Sequence, residues 1–176
     1  MSNPKRRMLV ITGDGKGKTT AALGLMLRAS GHGLRVLMVQ FVKSDASTGE
    51  FAAAKNLPGV KMIVGGKGFV PPPQNPKFAE HAAAAQDSLK LVQEALAQKS
   101  CDVLILDEVC VAIKMKLLAE ESVLETIRQA PDGIALVLTG RGATPALIEM
   151  ADTVSEIQNV KHGMSAGIPA QKGIES

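Results

Sequence analysis

Short apolar runs recurring between helical patterns constrain the fold of this chain more than any other feature. They are 8-MLVIT-12, 35-RVLMVQFV-42, 60-VKMIV-64, 103-VLILDE-108 and 134-IALVLTG-140. The second and fourth are apolar on both side-chain parities, so each needs cover on both faces, whereas a half-exposed strand would alternate. Strand followed by helix followed by strand implies right-handed crossovers and parallel pairing. The expected class is therefore α/β, a mostly parallel central sheet with helices on both faces. A last strand is expected at 153-TVSEI-157. Helices are expected from Lys18 to Ser30, stopped by 31-GHG-33, from Lys77 to Lys99 with Leu89, Val92 and Leu96 on one face, and around 117-LLAEESVLETIRQA-130. Thr144 before Pro145 reads as an N-cap with proline in the first turn, opening a helix to about Met150. The segments 43-KSDASTGE-50 and 65-GGKGFVPPPQNP-76 read as loops, and 161–176 as a polar tail. The chain of 176 residues has no internal repeat and suits one domain, 1–176.

With 2% aromatic residues, no Trp and no Tyr, the core must be filled by Val, Ile, Leu, Met and Ala. The formal charge is +3, and the one basic run, Lys5-Arg6-Arg7, lies at the N-terminus, so nucleic acid is not implied. Cys101 and Cys110 stand apart with no CxxC pattern, and the three histidines are scattered, which points to reduced thiols rather than a metal cluster. No segment reaches the roughly 20 apolar residues that span a membrane, and no signal-peptide pattern is present, so a cytoplasmic location is expected.

The chemistry concentrates in 11-ITGDGKGKTTAALG-24. A strand that ends in a glycine-rich turn and opens a helix aims backbone N–H groups and the positive end of the helix dipole at one point, which suits phosphate. The usual spacing G-x-x-x-x-G-K-[ST] puts a glycine where this chain has Thr12, and the nearest one, Gly13, comes one place late. Lys18 supplies a charge for phosphate and Thr19 a hydroxyl for Mg²⁺, while Gly13, Gly15 and Gly17 would let oxygen atoms approach the backbone. The run 103-VLILDE-108 ends in two carboxylates, either of which, Asp107 or Glu108, suits a metal-bound phosphate. In 139-TGRG-142, Arg141 has the fork geometry for a phosphate, but a solvated surface charge fits the residues equally. Arg28, late in the first helix, reads as a helix-face charge. No general base for water is identifiable, although Glu108 is placed to polarise one.

Six stretches, 12-TGDGKGKTTAALG-24, 31-GHGLRVLMVQFVKSDASTGE-50, 66-GKGF-69, 104-LILDEV-109, 136-LVLTGRGATPALIEMADTVSEI-157 and 161-KHGMSAGIPAQKGIE-175, together resemble the ATP:cob(I)alamin adenosyltransferases of the CobA/BtuR type. The resemblance implies a RecA-like P-loop fold, usually a homodimer, that transfers the 5′-deoxyadenosyl group of ATP to Co(I) of a corrinoid such as cobalamin and releases triphosphate. It implies that Gly13, Asp14, Gly15, Lys16, Gly17, Lys18, Thr19 and Thr20 hold ATP, with Arg28 and Arg141 on further phosphate oxygens. Thr19 with Asp107 or Glu108 would hold Mg²⁺, and Lys18, Thr19 and Glu108 would carry catalysis. Phe69 would face the corrinoid, and an electron-donating flavoprotein would be a partner. Where family members read G-x-G-F-T-W, this chain has 66-GKGFVPPP-73, with Val70 and Pro71 in place of Thr and Trp. Two other readings fit the same motifs, a paralogue that binds ATP or corrinoid without transfer and a generic P-loop ATPase or kinase.

Overall fold

The computed structural model describes residues 5–175. Strands β1 (Arg7–Thr12), β2 (Val36–Gln40), β3 (Val60–Val64), β4 (Val103–Asp107), β5 (Ala135–Thr139) and β6 (Thr153–Glu156) form one sheet in the order β3-β2-β4-β5-β1-β6. Every strand pairing in it is parallel. Every residue of β2 and of β4 is buried, which is why those runs are apolar on both parities, whereas the edge strand β6 is exposed throughout.

The two faces are covered by different helices. On one side α1 (Lys18–Gly31) packs Ala22, Met26 and Ala29 against Val36, Met38, Ile105 and Val137, with Ala54 of the short α2 (Gly49–Ala54). On the other, α3 (Phe78–Ala97), α4 (Val109–Lys114), α5 (Glu120–Arg128) and α6 (Pro145–Met150) cover Leu37, Val39, Leu104, Leu106, Leu136 and Leu138. Neighbouring positions on each strand thus enter opposite cores, as period-2 geometry requires. Along α3, Ala85, Ser88, Leu89, Val92, Ala95 and Leu96 are buried at helical spacing.

The helical material around 117–130 differs from the sequence reading. α5 occupies its later part, and a separate helix, α4, opens directly after β4. Leu117 and Leu118, expected to be helical, lie in the connection between them and are buried in the core. Short α2 falls where only loop was expected at Gly49. Thr144 caps α6 as expected, its hydroxyl accepting from the Leu147 N–H at 3.3 Å. Cys101 and Cys110 are free and buried, and desolvation pushes their thiols up to about 11 and about 12.

Candidate active site

The carboxyl ends of β1, β4 and β5 carry the side chains that converge, as open parallel sheets arrange. β1 runs into Gly13–Gly17 and α1 starts at Lys18, with Gly17 (φ 120°) as N-cap and no side chain bonded there. The opening N–H groups of α1 therefore face outward without an intrahelical partner, and no acidic residue sits in the first turn to compete for them.

The displaced glycine has a structural cause. Thr12, in the place of the usual leading glycine, is buried; its hydroxyl donates to Gly140 O at 2.9 Å and accepts from the Ala143 N–H at 3.2 Å. A side chain is needed there, because it stitches β1 to the turn that carries Arg141. Gly13 (φ 97°) lies against the chain leaving β6, and a Cβ on it would stand 2.4 Å from Ile157 O. A Cβ on Gly15 would stand 2.5 Å from Gln158 O, and the Gly15 N–H already donates to Ile157 O at 2.8 Å. Both positions therefore need glycine to let the backbone after β6 pass, a requirement separate from the phosphate access expected of them. Of the three, Gly17 alone leaves room at its Cβ position, where the nearest atom is Ile157 Cδ1 at 3.8 Å.

Asp107 is fully buried at the end of β4 and is surrounded by donors. Its Oδ1 accepts from the Thr19 hydroxyl at 2.9 Å and the Thr139 hydroxyl at 2.7 Å, and its Oδ2 from Gln40 Nε2 at 3.0 Å. Lys43 Nζ stands 3.7 Å from the same Oδ2 and 3.6 Å from Glu50 Oε1 on α2. The Thr139 hydroxyl also accepts from the Glu108 N–H at 2.9 Å. Glu108 itself is left-handed (φ 62°), uncommon and costly for a residue with a side chain, and this turn separates its carboxylate from that of Asp107. Burial raises the Glu108 pKa, the neighbouring Asp107 charge adds to the rise, and Lys43, Lys18 and Arg141 oppose it. The Lys18 pKa is lowered by burial first and by the Arg141 charge second, against the pull of Asp14 and Glu108. The Lys18 ammonium donates to Gly15 O.

A cavity of about 700 Å³ collects these groups. Gly15, Lys16, Gly17, Lys18, Thr19, Thr20, Glu108 and Arg141 line it, so most of the expected phosphate and metal residues meet in one place. Lys43, Glu50 and His162 line it as well and were not singled out from sequence. The tail closes one side with Gly173, Ile174 and Glu175, and Lys16 Nζ donates to Ile174 O at 2.8 Å. Gly13, Asp14 and Asp107 are not in the lining; Asp107 acts on it through Thr19. Arg28 is exposed in the last turn of α1, ten residues beyond Lys18 and hence about 15 Å further along the axis, and it is not in the cavity lining. Phe69 is 94% exposed and outside the lining, while its neighbour Val70 is buried in the core at 8%. Among the described residues, no group of three or more His, Cys, Asp or Glu side chains could hold a metal.

A parallel sheet, a glycine-rich turn opening a helix, and a buried strand-end carboxylate holding the helix's first hydroxyl define a P-loop-type nucleotide-binding protein. The family profile "ATP:corrinoid adenosyltransferase BtuR/CobO/CobP" matches residues 5–176. The chain belongs to this family of corrinoid adenosyltransferases. It is 43% identical to the corrinoid adenosyltransferase of Pseudomonas aeruginosa over 96% of this chain and 82% of that one. It is 39% identical to the enzyme of Escherichia coli K12, over 96% and 84%. Among solved structures it is similar to a KaiC-like protein from Pyrococcus horikoshii, with a TM-score of 0.57 at 15% identity over 88% of this chain and 72% of that chain. The flagellar accessory protein FlaH of Methanocaldococcus jannaschii gives 0.55 at 15% identity over 87% and 71%. These two likenesses show the fold.

Proposed function

We propose that the cavity binds ATP with its triphosphate on the opening turn of α1, and that Co(I) of a reduced corrinoid attacks C5′ of the ribose there. The cobalt–carbon bond forms as the C5′–oxygen bond breaks; the cobalt electron pair enters the new bond, and the leaving pair stays on triphosphate. Cobalt is formally oxidised from Co(I) to Co(III), and no proton moves to or from the attacking atom. A chain with no identifiable base is suited to such a step. What the protein must supply is orientation and charge: the free N–H groups of α1, Lys18 and Arg141 for the anion that departs. The observation that carries the reading is the meeting of those donors with Glu108 and with Thr19, held by Asp107 from behind, in one cavity of a family member.

The donor set fits Mg²⁺, a hard cation that takes oxygen ligands and keeps several waters. Thr19 donates its proton to Asp107, which leaves the lone pairs of its hydroxyl for the metal, and the Glu108 carboxylate lines the same space. Asp107 already accepts three hydrogen bonds and faces Lys43, so it serves the ion by holding Thr19. When bound, the ion would neutralise charge growing on the triphosphate. Phe69, held out by buried Val70, is our candidate for the corrinoid face. A homodimer and a flavoprotein electron donor complete the reading, and a second copy is the one route by which Arg28 would meet a nucleotide.

The test supplies ATP, Mg²⁺ and chemically reduced cob(I)alamin to the full chain. The light-sensitive alkylated corrinoid and triphosphate are expected, and Lys18→Ala should lower the rate about 10²–10³-fold, as loss of one charge-stabilising donor does elsewhere. Orthophosphate release with no alkylated corrinoid would overturn the proposal.

A further inference from the structure

We propose that Lys43 is a positioning residue that joins the Phe69 loop to the metal end of the nucleotide site; this rests on the reading of the two sites above. Its side chain faces one of them. The ammonium stands between buried Asp107 and Glu50, at 3.7 and 3.6 Å, and lines the cavity. Without it two carboxylates in a poorly solvated place would face each other with one fewer cation, and like charges there repel more strongly than in water. Asp107 in turn fixes the Thr19 hydroxyl.

The backbone on either side of Lys43 belongs to the other site. The Gly68 N–H donates to Val42 O at 2.7 Å, and the Gly65 N–H to Gln40 O at 2.9 Å. A Cβ on Gly66 would lie 2.2 Å from the Val42 carbonyl, and one on Gly68 would lie 2.8 Å from Ser44 Oγ. Gly66 and Gly68 are thus laid on Val42 and Ser44 with no room for side chains of their own, and the next two residues are exposed Phe69 and buried Val70. Close packing of this kind transmits displacement instead of absorbing it. A corrinoid that moves Phe69 moves the residues flanking Lys43, and Lys43 carries the movement to Asp107, Glu50 and, through Asp107, Thr19.

Two variants test the two halves. Lys43→Met should weaken ATP binding measured by calorimetry with Mg²⁺ and without corrinoid by about tenfold, and raise the half-saturating Mg²⁺ concentration for transfer similarly. Lys43→Arg, which keeps the charge, should recover most of both. Gly66→Ala should raise KM for ATP and for cob(I)alamin together, because the new methyl displaces residues 42–44 as well as the loop. If Gly66→Ala does not fold, as judged by its thermal melt, Gly68→Ala takes its place, since Ser44 Oγ can rotate away. ATP and Mg²⁺ constants unchanged in Lys43→Met, or a glycine variant that alters the corrinoid KM alone, would overturn the link. Wild-type protein runs in the same assay: its failure to alkylate cobalt would overturn the functional reading, whereas an active wild type with a silent Lys43→Met overturns only this inference.

Discussion

The nucleotide end and the loop around Phe69 are built in opposite ways. At the first, Asp107 is wholly buried, receives three hydrogen bonds and stands beside a lysine, so Thr19 and the start of α1 are fixed before any ligand arrives. At the second, Val70 anchors the loop while Phe69 stands almost fully in solvent with Pro71 beside it. A site that must stabilise developing charge gains from donors already in place, because nothing then has to reorganise during reaction. An apolar contact surface can wait for its substrate to provide the cover. On the proposed reading, the contrast teaches that specificity for phosphate is built into the folded chain, while the corrinoid side is completed by what binds.

Asp107→Ala attacks the preorganised end hardest. It strands buried hydroxyl and amide donors beside a lysine left with Glu50 alone, and urea denaturation should show a loss of about 3–5 kcal/mol along with loss of transfer. Gly13→Ala attacks the same end from behind, through a Cβ against Ile157 O in a left-handed backbone, and should cost about 1–3 kcal/mol. The Glu108→Gln variant should act in the other direction. Burial and Asp107 hold the Glu108 pKa above its ordinary 4.5, so the ionised carboxylate costs the metal-free folded state stability. That cost grows as pH rises from the ordinary value through the folded one and is absent below both. Glu108→Gln should therefore raise the Tm of metal-free protein at neutral pH, with the gain vanishing below pH 4.5, while transfer falls. At the open end, Phe69→Ala should change stability by no more than about 0.5 kcal/mol, yet slow transfer starting from Co(II) more than from preformed Co(I). A Phe69→Ala variant that melts early would erase the distinction between the two ends.

The strands, the long α3 and the α1 phosphate turn were legible because each has an unambiguous period or a glycine signal. The family was legible in the matched stretches from Thr12 to Glu175. Lys43 was not, because a lysine three residues past β2 looks like any loop charge until the sheet order sets β2 beside β4. The fact that β4 ends in Asp107 then makes the end of β2 part of the site, and strand-end position was the available signal. Glu50 escaped notice for the same reason, on a six-residue helix too short to show periodicity. That Gly13 also makes room for the chain at Ile157 was not legible, because nothing local indicates that Ile157 passes over it. Arg28 shows the reverse limit, since a motif position does not say whether the fold carries the residue to the cavity.

The strand order places the first strand to be synthesised between the last two, β5 and β6. Gly13 and Gly15 rest on Ile157 and Gln158, so the turn after β1 has nothing to close against until the chain has been made through β6 and Gln158. On the ribosome β1 must wait as an unpaired apolar segment, and its nucleation contacts span nearly the full sequence, which makes them slow to form. ATP affinity should consequently appear late and all at once during synthesis, and a chain released early would expose Met8 to Ile11 to aggregation without a usable nucleotide site.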